Sequence, residues 1–237
     1  TICLNGKTLQ STAENQPVFW IMGGELTLTN CNGTGKVIHN SSRSGSGTGV
    51  KVELGGKFNL YGGTITNNTA DYGGGVLVGS GTTFNMYGGS ITNNTADGDE
   101  GYGGGGVCVK GGTFNMHGGT IAANKATIYT GKGNGGGVSV VDGGRFTMNG
   151  GTIGGTSATR DYNQATGNGG GVYVSGERST FTMNGSASVA YNKAISGTGS
   201  YTSDGGNGGG VYVKSGTFEM NYSASVTGNT ATNTGST

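Results

Sequence analysis

The chain has little charge, and this scarcity limits what it can bind. Charged residues make up only 11% of its 237 residues, and the formal net charge is +1. Because Lys and Arg are scattered along the chain, no basic stripe is available for a phosphate backbone, and nucleic acid is not an expected partner. No apolar run approaches the ~18 residues that a bilayer-spanning helix needs, so we expect no membrane insertion. The chain starts inside a strand-like segment without a signal peptide, which suggests a mature or excised piece of a larger protein.

Cysteine is also scarce, with only Cys3, Cys31 and Cys108. None of them has the CxxC spacing of a metal or redox site, and an odd number cannot all pair within one chain. We expect buried or unpaired thiols, with a disulfide between Cys3 and Cys31 as the alternative. No metal site or cofactor is predicted.

Glycine, in contrast, is abundant, with 56 residues. Each glycine inside a helix costs roughly 1 kcal/mol relative to alanine, so long helices are not expected. The apolar residues recur at fixed positions, which a disordered chain would not require. The composition therefore indicates a folded all-β protein punctuated by glycine.

One phrase, GGTFNMHGGTIAANKA at Gly111 to Ala126, recurs in variants along the chain. Aligned on its phenylalanine, the unit repeats at steps of 26, 30, 32, 35 and 37 residues, between Phe58, Phe84, Phe114, Phe146, Phe181 and Phe218. A Leu or Met follows each Phe by two residues, a pair of valines precedes it, and an Ile or Val comes later. Alternation with a period of two indicates strands with one buried face. Each unit therefore contains three short strands separated by glycine-rich turns.

Three strands per unit, with the same residue type at each inward position, predict one coil of a parallel β-helix. Stacking coils about 4.8 Å apart would place Phe over Phe and Val over Val. We predict one domain, 1–237, of about eight coils, with irregular N-terminal coils over 1–49 and regular repeats over 50–237. In the irregular part, Val18 and Trp20 are assigned to the valine positions and Ile38 to the isoleucine position, which makes Trp20 a core residue.

An asparagine also recurs, at a turn two residues before an alanine. Stacked asparagines can pass hydrogen bonds from amide to amide along a solenoid, so a structural ladder is predicted here. Thr156 interrupts this ladder once. Its members are Asn68, Asn94, Asn124, Asn192 and Asn229.

The segment after the ladder residue varies most between units. We measure this segment from the ladder residue to the first valine of the next pair. Its five copies span 68–76, 94–107, 124–138, 156–172 and 192–211, so its length rises through 8, 13, 14, 16 and 19 residues. Insertions at one corner of a repeat often mark its binding face. Each segment carries one tyrosine, a rigid amphipathic contact residue. These tyrosines are Tyr72, Tyr102, Tyr129, Tyr162 and Tyr201.

The predicted binding residues are the loop tyrosines with nearby polar groups, and a tyrosine pair on two adjacent coils. Each tyrosine could instead cover the backbone of its own loop, and cross-strand packing alone would explain the pair. The predicted set is Tyr102, Tyr129, Tyr162, Tyr201, Tyr173, Tyr212, Arg160, Asp161 and Asp204.

The motifs GGGVxV, FxM, GGxI and NxA resemble those of the pectate-lyase-like superfamily of right-handed parallel β-helices. More closely, they resemble repeat regions of polymorphic outer-membrane autotransporters and of wall-anchored adhesin-like proteins of gut-type Gram-positive bacteria. The segments Leu4 to Leu9, Gly24 to Leu28 and Gly33 to Lys36 match the second group. The resemblance implies a right-handed helix at the cell surface or cell wall, or secreted, as part of a larger protein.

The expected function is that of a non-catalytic adhesin or binding module for a host glycan or glycoprotein, such as mucin or an immunoglobulin. The alternatives are a polysaccharide lyase or glycoside hydrolase of the same fold, and a structural stalk. Asp142, Arg145 and His117 form the best catalytic candidate, although solvated turn residues are the favoured interpretation of all three. The acidic stretch from Asp97 to Glu100 lacks the spacing of a known calcium loop.

Overall fold

The protein is a right-handed parallel β-helix of eight coils. Its computed structural model describes residues 1–39, 47–98, 101–127, 133–157, 159–196 and 205–232. All the regular structure in these ranges is β, in 29 strands. Within them, no helix is long and apolar enough to cross a membrane.

The strands follow one another coil by coil. Coil 1 contains β1 (Ile2–Cys3) and β2 (Thr8–Ser11), and coil 2 contains β3 (Phe19–Met22), β4 (Glu25–Thr29) and β5 (Lys36–His39). Coil 3 contains β6 (Val50–Glu53), β7 (Lys57–Leu60), β8 (Thr64–Thr66) and β9 (Thr69–Ala70). Coil 4 contains β10 (Val76–Val78), β11 (Thr83–Met86), β12 (Ser90–Thr92) and β13 (Thr95–Ala96). Coil 5 contains β14 (Val107–Lys110), β15 (Thr113–Met116), β16 (Thr120–Ala122) and β17 (Lys125–Ala126). Coil 6 contains β18 (Val138–Val141), β19 (Arg145–Met148), β20 (Thr152–Gly154) and β21 (Gln164–Ala165). Coil 7 contains β22 (Val172–Val174), β23 (Thr180–Met183), β24 (Ser188–Ala190) and β25 (Lys193–Ile195). Coil 8 contains β26 (Val211–Val213), β27 (Thr217–Met220), β28 (Ser225–Thr227) and β29 (Thr230–Thr232).

Equivalent strands of successive coils form four parallel sheets, which we name by their inward residues. The valine sheet contains β3, β6, β10, β14, β18, β22 and β26, and the phenylalanine sheet contains β1, β4, β7, β11, β15, β19, β23 and β27. The isoleucine sheet contains β2, β5, β8, β12, β16, β20, β24 and β28. A short sheet contains β9, β13, β17, β21, β25 and β29. The three predicted strands per coil are therefore confirmed, and a fourth strand of two or three residues is added in coils 3 to 8.

The core is a set of columns in which identical residues stack. The phenylalanine rings of coils 3 to 8 lie parallel, with centroids 4.5–5.1 Å apart. Each fully buried ring stabilises the fold by roughly 1.5–3 kcal/mol relative to an exposed one. The core is continuous because each coil covers the apolar residues of the coil before it.

Glycine shapes the corner before each valine strand. Gly104 has φ +73°, a left-handed backbone conformation that glycine adopts without the steric penalty that a Cβ atom brings. A side chain at Gly106 would begin 2.8 Å from the Gly137 carbonyl oxygen, so the backbones approach too closely for any other residue.

Two assignments in the irregular N-terminal coils are wrong by one residue. Phe19 and Ile21 pair with Val50 and Val52, so the Trp20 side chain points outward and is 47% exposed. Val37, not Ile38, continues the isoleucine column. Leu26 and Leu28 pair with Phe58 and Leu60, so they continue the columns of the phenylalanine sheet.

Cys3 and Cys31 form a disulfide, so the expectation of unpaired thiols is wrong for this pair. Cys3 pairs with Thr29 across the first two coils, and the two cysteine Cα atoms lie 6.1 Å apart. The bond joins coil 1 to coil 2. Cys108 is free and buried, as expected.

The asparagine ladder is continuous, and the predicted break at Thr156 is wrong. Asn124 Nδ2 donates to Asn163 Oδ1 at 3.0 Å, and Asn163 Nδ2 donates to Asn192 Oδ1 at 2.9 Å. Each ladder amide uses two donor hydrogens, as Asn124 Nδ2 donates to the Ile91 carbonyl oxygen as well as to Asn163, whereas a hydroxyl has only one hydrogen to donate. The extra residues of coil 6 therefore precede the ladder position, and only 9 residues separate Asn163 from Val172.

Candidate functional site

The structure divides the predicted binding residues among several places. Tyr129, Tyr201 and Asp204 lie outside the described residues. Arg160, Asp161 and Tyr162 occupy the insertion of coil 6, between the isoleucine strand β20 and the short strand β21.

This insertion lies at a different corner from the loops that carry the other described tyrosines. It is anchored by the Ala123 amide, which donates to the Asp161 carbonyl oxygen at 2.9 Å. Arg160 and Asp161 are exposed, and Tyr162 is half-buried. The structure does not bring these three residues to the tyrosines of the valine sheet.

Tyr72 and Tyr102 do meet, on the outer face of the valine sheet. Their rings make an edge-to-face contact with centroids 5.7 Å apart. Lys110 Nζ lies 4.6 Å from the centre of the Tyr102 ring and 5.4 Å from that of Tyr72, so both rings make cation–π contacts. The same ammonium lies 4.0 Å from an Asp142 carboxylate oxygen.

Tyr173 and Tyr212 stack on adjacent coils, as predicted, with centroids 5.9 Å apart and rings within 6° of parallel. Tyr173 is only 6% exposed and packs with Cys108 and Val141 in a small apolar cluster. This burial fits the alternative of cross-strand packing better than it fits direct ligand contact. Burial also raises the pKa of Cys108 to about 11, so this thiol is unreactive at neutral pH.

Two adjoining depressions follow the outer face of the valine sheet, and together we call them the valine-face groove. One, of about 380 Å³, is lined by Trp20, Lys51, Tyr72 and Leu77 among others. The second, of about 530 Å³, shares Lys51, Tyr72 and Leu77 and extends to Lys110. The groove thus runs along the solenoid axis from coil 2 towards coil 6.

Trp20 is held at one end of this groove by its neighbours. Its Nε1 donates to Glu53 Oε2 at 2.8 Å, and Lys51 Nζ lies 4.8 Å from its ring centre. Lys51 is itself paired with Glu53 at 3.1 Å. These contacts fix the orientation of the indole while leaving nearly half of the residue exposed.

Sequence reasoning missed Trp20 and Lys51 as surface residues of one site, and it placed Leu77 in an outward row without including it in the binding set. The available signal was the residue between the two inward positions of each valine strand, since these residues form one outward row. The row comprises Trp20, Lys51, Leu77, Cys108, Ser139, Tyr173 and Tyr212.

No family model, curated protein or solved structure matches this chain. The resemblance to bacterial adhesin-like repeats therefore depends on the quoted motifs alone.

The catalytic candidate does not assemble as one group. Asp142 and Arg145 line a common polar pocket, but His117 lies elsewhere. Arg145 pairs with Thr113, and His117 is four residues further along that strand, or about 13 Å away. The described residues contain no group of three or more His, Cys, Asp or Glu that could hold a metal ion.

His117 belongs instead to an exposed aromatic stack on the phenylalanine sheet. Tyr61, Tyr87 and His117 lie parallel on coils 3 to 5, with centroids 4.5 and 4.9 Å apart. Because each ring covers the face of the next, the stack presents ring edges to solvent. It is therefore a poorer platform for a planar ligand than Trp20.

Proposed function

We propose that the protein is a non-catalytic binding module of a bacterial surface or secreted protein, and that it recognises a host glycan or glycoprotein along the valine-face groove. The observation that carries this proposal is the juxtaposition of Trp20 and Tyr72 with Lys51 along one open groove. Aromatic rings stack on the apolar faces of sugars, and flanking charged groups bond their hydroxyls.

The construction of the groove supports recognition. Its floor is a parallel sheet, and its side chains are held by ion pairs and cation–π contacts. Binding therefore requires little ordering of the site, which favours affinity for a flexible ligand such as an oligosaccharide.

The disulfide between Cys3 and Cys31 supports a location outside the cytoplasm. Structural disulfides persist in oxidising compartments and are rare in the cytosol. This agrees with the surface or cell-wall location that the repeat motifs imply.

The test uses Trp20, the single tryptophan of the chain, as a built-in reporter. Host glycans and glycoproteins that bind on an array are titrated into the protein while tryptophan fluorescence is recorded. A ligand in the groove changes this emission. Trp20→Phe, whose affinity is measured on the array because it has no tryptophan, and Tyr72→Ala should each weaken binding by about 2- to 10-fold, since one aromatic contact contributes roughly 0.5–1.5 kcal/mol.

Tyr61→Ala is the matched control, because Tyr61 is an exposed aromatic residue on another face. All variants are compared after their melting temperatures are shown to equal that of the wild type. Binding that is unaffected by either groove variant would place the site elsewhere. Absence of any binding would favour the stalk, and release of new reducing or unsaturated ends from a polysaccharide would establish an enzyme.

A further inference from the structure

Two arginines line the polar pocket that adjoins the valine-face groove. Arg145 begins β19 in coil 6, and Arg178 lies just before β23 in coil 7. They line one depression of about 560 Å³ with Gly143 and Gly176. Among the residues that the structure describes, neither guanidinium has an ion-pair partner within 4.0 Å.

The two carboxylates that also line this pocket, Asp142 and Glu177, make no ion pair with either arginine within 4.0 Å. Asp142 is engaged by Lys110 at 4.0 Å, on the side that faces the groove. Glu177 is exposed and makes no ion pair within 4.0 Å in the described part of the chain. Two like charges in one depression repel each other, so an oxyanion between them would be stabilised by both. Guanidinium groups suit this role because their donors match sulfate and carboxylate oxygens in pairs.

The pocket is continuous with the groove. Asp142 lines both the pocket and the second depression of the groove, with Lys110 on the groove side. Trp20 lies in coil 2 and Arg145 in coil 6, four coil spacings or about 19 Å apart along the axis. An extended ligand with one end on the indole could therefore place an acidic group between the arginines.

We infer that the Arg145–Arg178 pocket is an anion subsite of the groove, which takes a sulfate or carboxylate group of the bound glycan. This inference rests on the proposed function. It assigns the ligand of the valine-face groove to one chemical class, the acidic oligosaccharides. Glu177, which also lines the pocket, repels the same anion and lowers the affinity.

The test compares pairs of glycans that differ only in the acidic group. One pair is a sulfated glycan and its desulfated form, and the other is a sialylated glycan and its asialo form. The wild type should bind the acidic member of at least one pair about tenfold tighter or more, as expected for a charge-assisted contact. The Arg145→Gln/Arg178→Gln double variant should lose this preference while its affinity for the neutral member stays unchanged. Glu177→Gln should strengthen binding of the acidic member only, and which pair responds distinguishes sulfate from carboxylate.

Titration with inorganic sulfate at constant ionic strength tests the anion subsite independently of the proposed glycan recognition. Saturable binding, lost in the double variant, supports the anion subsite even if no glycan binds, in which case the proposed glycan recognition alone fails. The inference is overturned if the wild type binds acidic and neutral members equally, or if the double variant keeps the preference. It is also overturned if neither sulfate nor any acidic glycan binds.

Discussion

Replacing Asn94 with alanine should destabilise the protein more than replacing any exposed asparagine. The Asn94 side chain is fully buried, and its Oδ1 accepts from the Asn68 backbone amide at 3.1 Å. Its Nδ2 donates to the Ile65 carbonyl oxygen at 3.0 Å. Alanine would leave the Asn68 backbone amide without this acceptor in the interior, and would also remove the ladder bond from Asn94 Nδ2 to Asn124 Oδ1 at 3.0 Å. An orphaned buried group costs about 1–3 kcal/mol, so we expect a loss of about 2–5 kcal/mol in the free energy of unfolding.

Asn184→Ala is the matched control for this prediction. Asn184 also belongs to a ladder, since its Nδ2 donates to Asn149 Oδ1 at 3.0 Å and its Oδ1 accepts from Asn221 Nδ2 at 3.0 Å. These bonds are exposed, so water can replace them, and we expect a loss below about 1 kcal/mol.

Both variants are measured by urea unfolding, followed by circular dichroism for the whole sheet content and by Trp20 fluorescence for the N-terminal coils. Solenoids can unfold in parts, so the two signals are compared before a single free energy is extracted. Equal losses in Asn94→Ala and Asn184→Ala would refute the reasoning, because the difference is attributed entirely to burial.

Three further predictions concern the disulfide, the buried thiol and the aromatic column. Replacing Cys3 and Cys31 with serine should remove up to about 3–4 kcal/mol of loop-closure stabilisation, confined to coils 1 and 2. Amide hydrogen exchange should become faster in these two coils and nowhere else. Faster exchange along the whole solenoid would contradict the prediction. The folded pKa of Cys108, about 11, lies above the ordinary value of 9.0. The folded state therefore keeps this proton at a pH where the unfolded state releases it. The stabilisation is fully present below pH 9, and the free energy of unfolding falls as the pH rises towards 11. The wild type should therefore lose stability relative to Cys108→Ala between pH 9 and 11, and parallel melting curves over that range would contradict the prediction. Phe114→Ala should lower the free energy of unfolding by about 3–5 kcal/mol, because Phe114 stacks between two rings. Phe218→Ala should lower it clearly less, because Phe218 stacks on one ring and is partly exposed. Equal losses in urea unfolding would count against the stacked core.

The candidate site was only partly predictable because its residues come from five separate coils or loops. The loop tyrosines Tyr72 and Tyr102 lie on the side of the solenoid that carries the valine-face groove. Trp20, Lys51 and Lys110 are distant in sequence, and only stacking in register places them beside one groove. No local pattern marks them as neighbours.

The sequence by itself determined the repeating core, because a strand with one buried face must alternate and identical coils must stack. Phe84, Val76 and Ile91 could therefore be placed in their columns without coordinates. The tertiary structure decided what periodicity left ambiguous. From Val18 to Met22 every residue is apolar, so alternation has no preferred phase there, and hydrogen bonding to β6 turned Trp20 outward.

The same distinction applies to the insertion of coil 6 and to the disulfide. Counting along the chain selected Thr156, but the unbroken amide ladder requires Asn163, because its Nδ2 donates both to the Ile121 carbonyl oxygen and to Asn192, which one hydroxyl hydrogen could not do. Cys3 and Cys31 meet because coil 1 stacks on coil 2 with a particular register. Repetition specifies which residues face inward, whereas the contacts between coils decide which outward residues become neighbours.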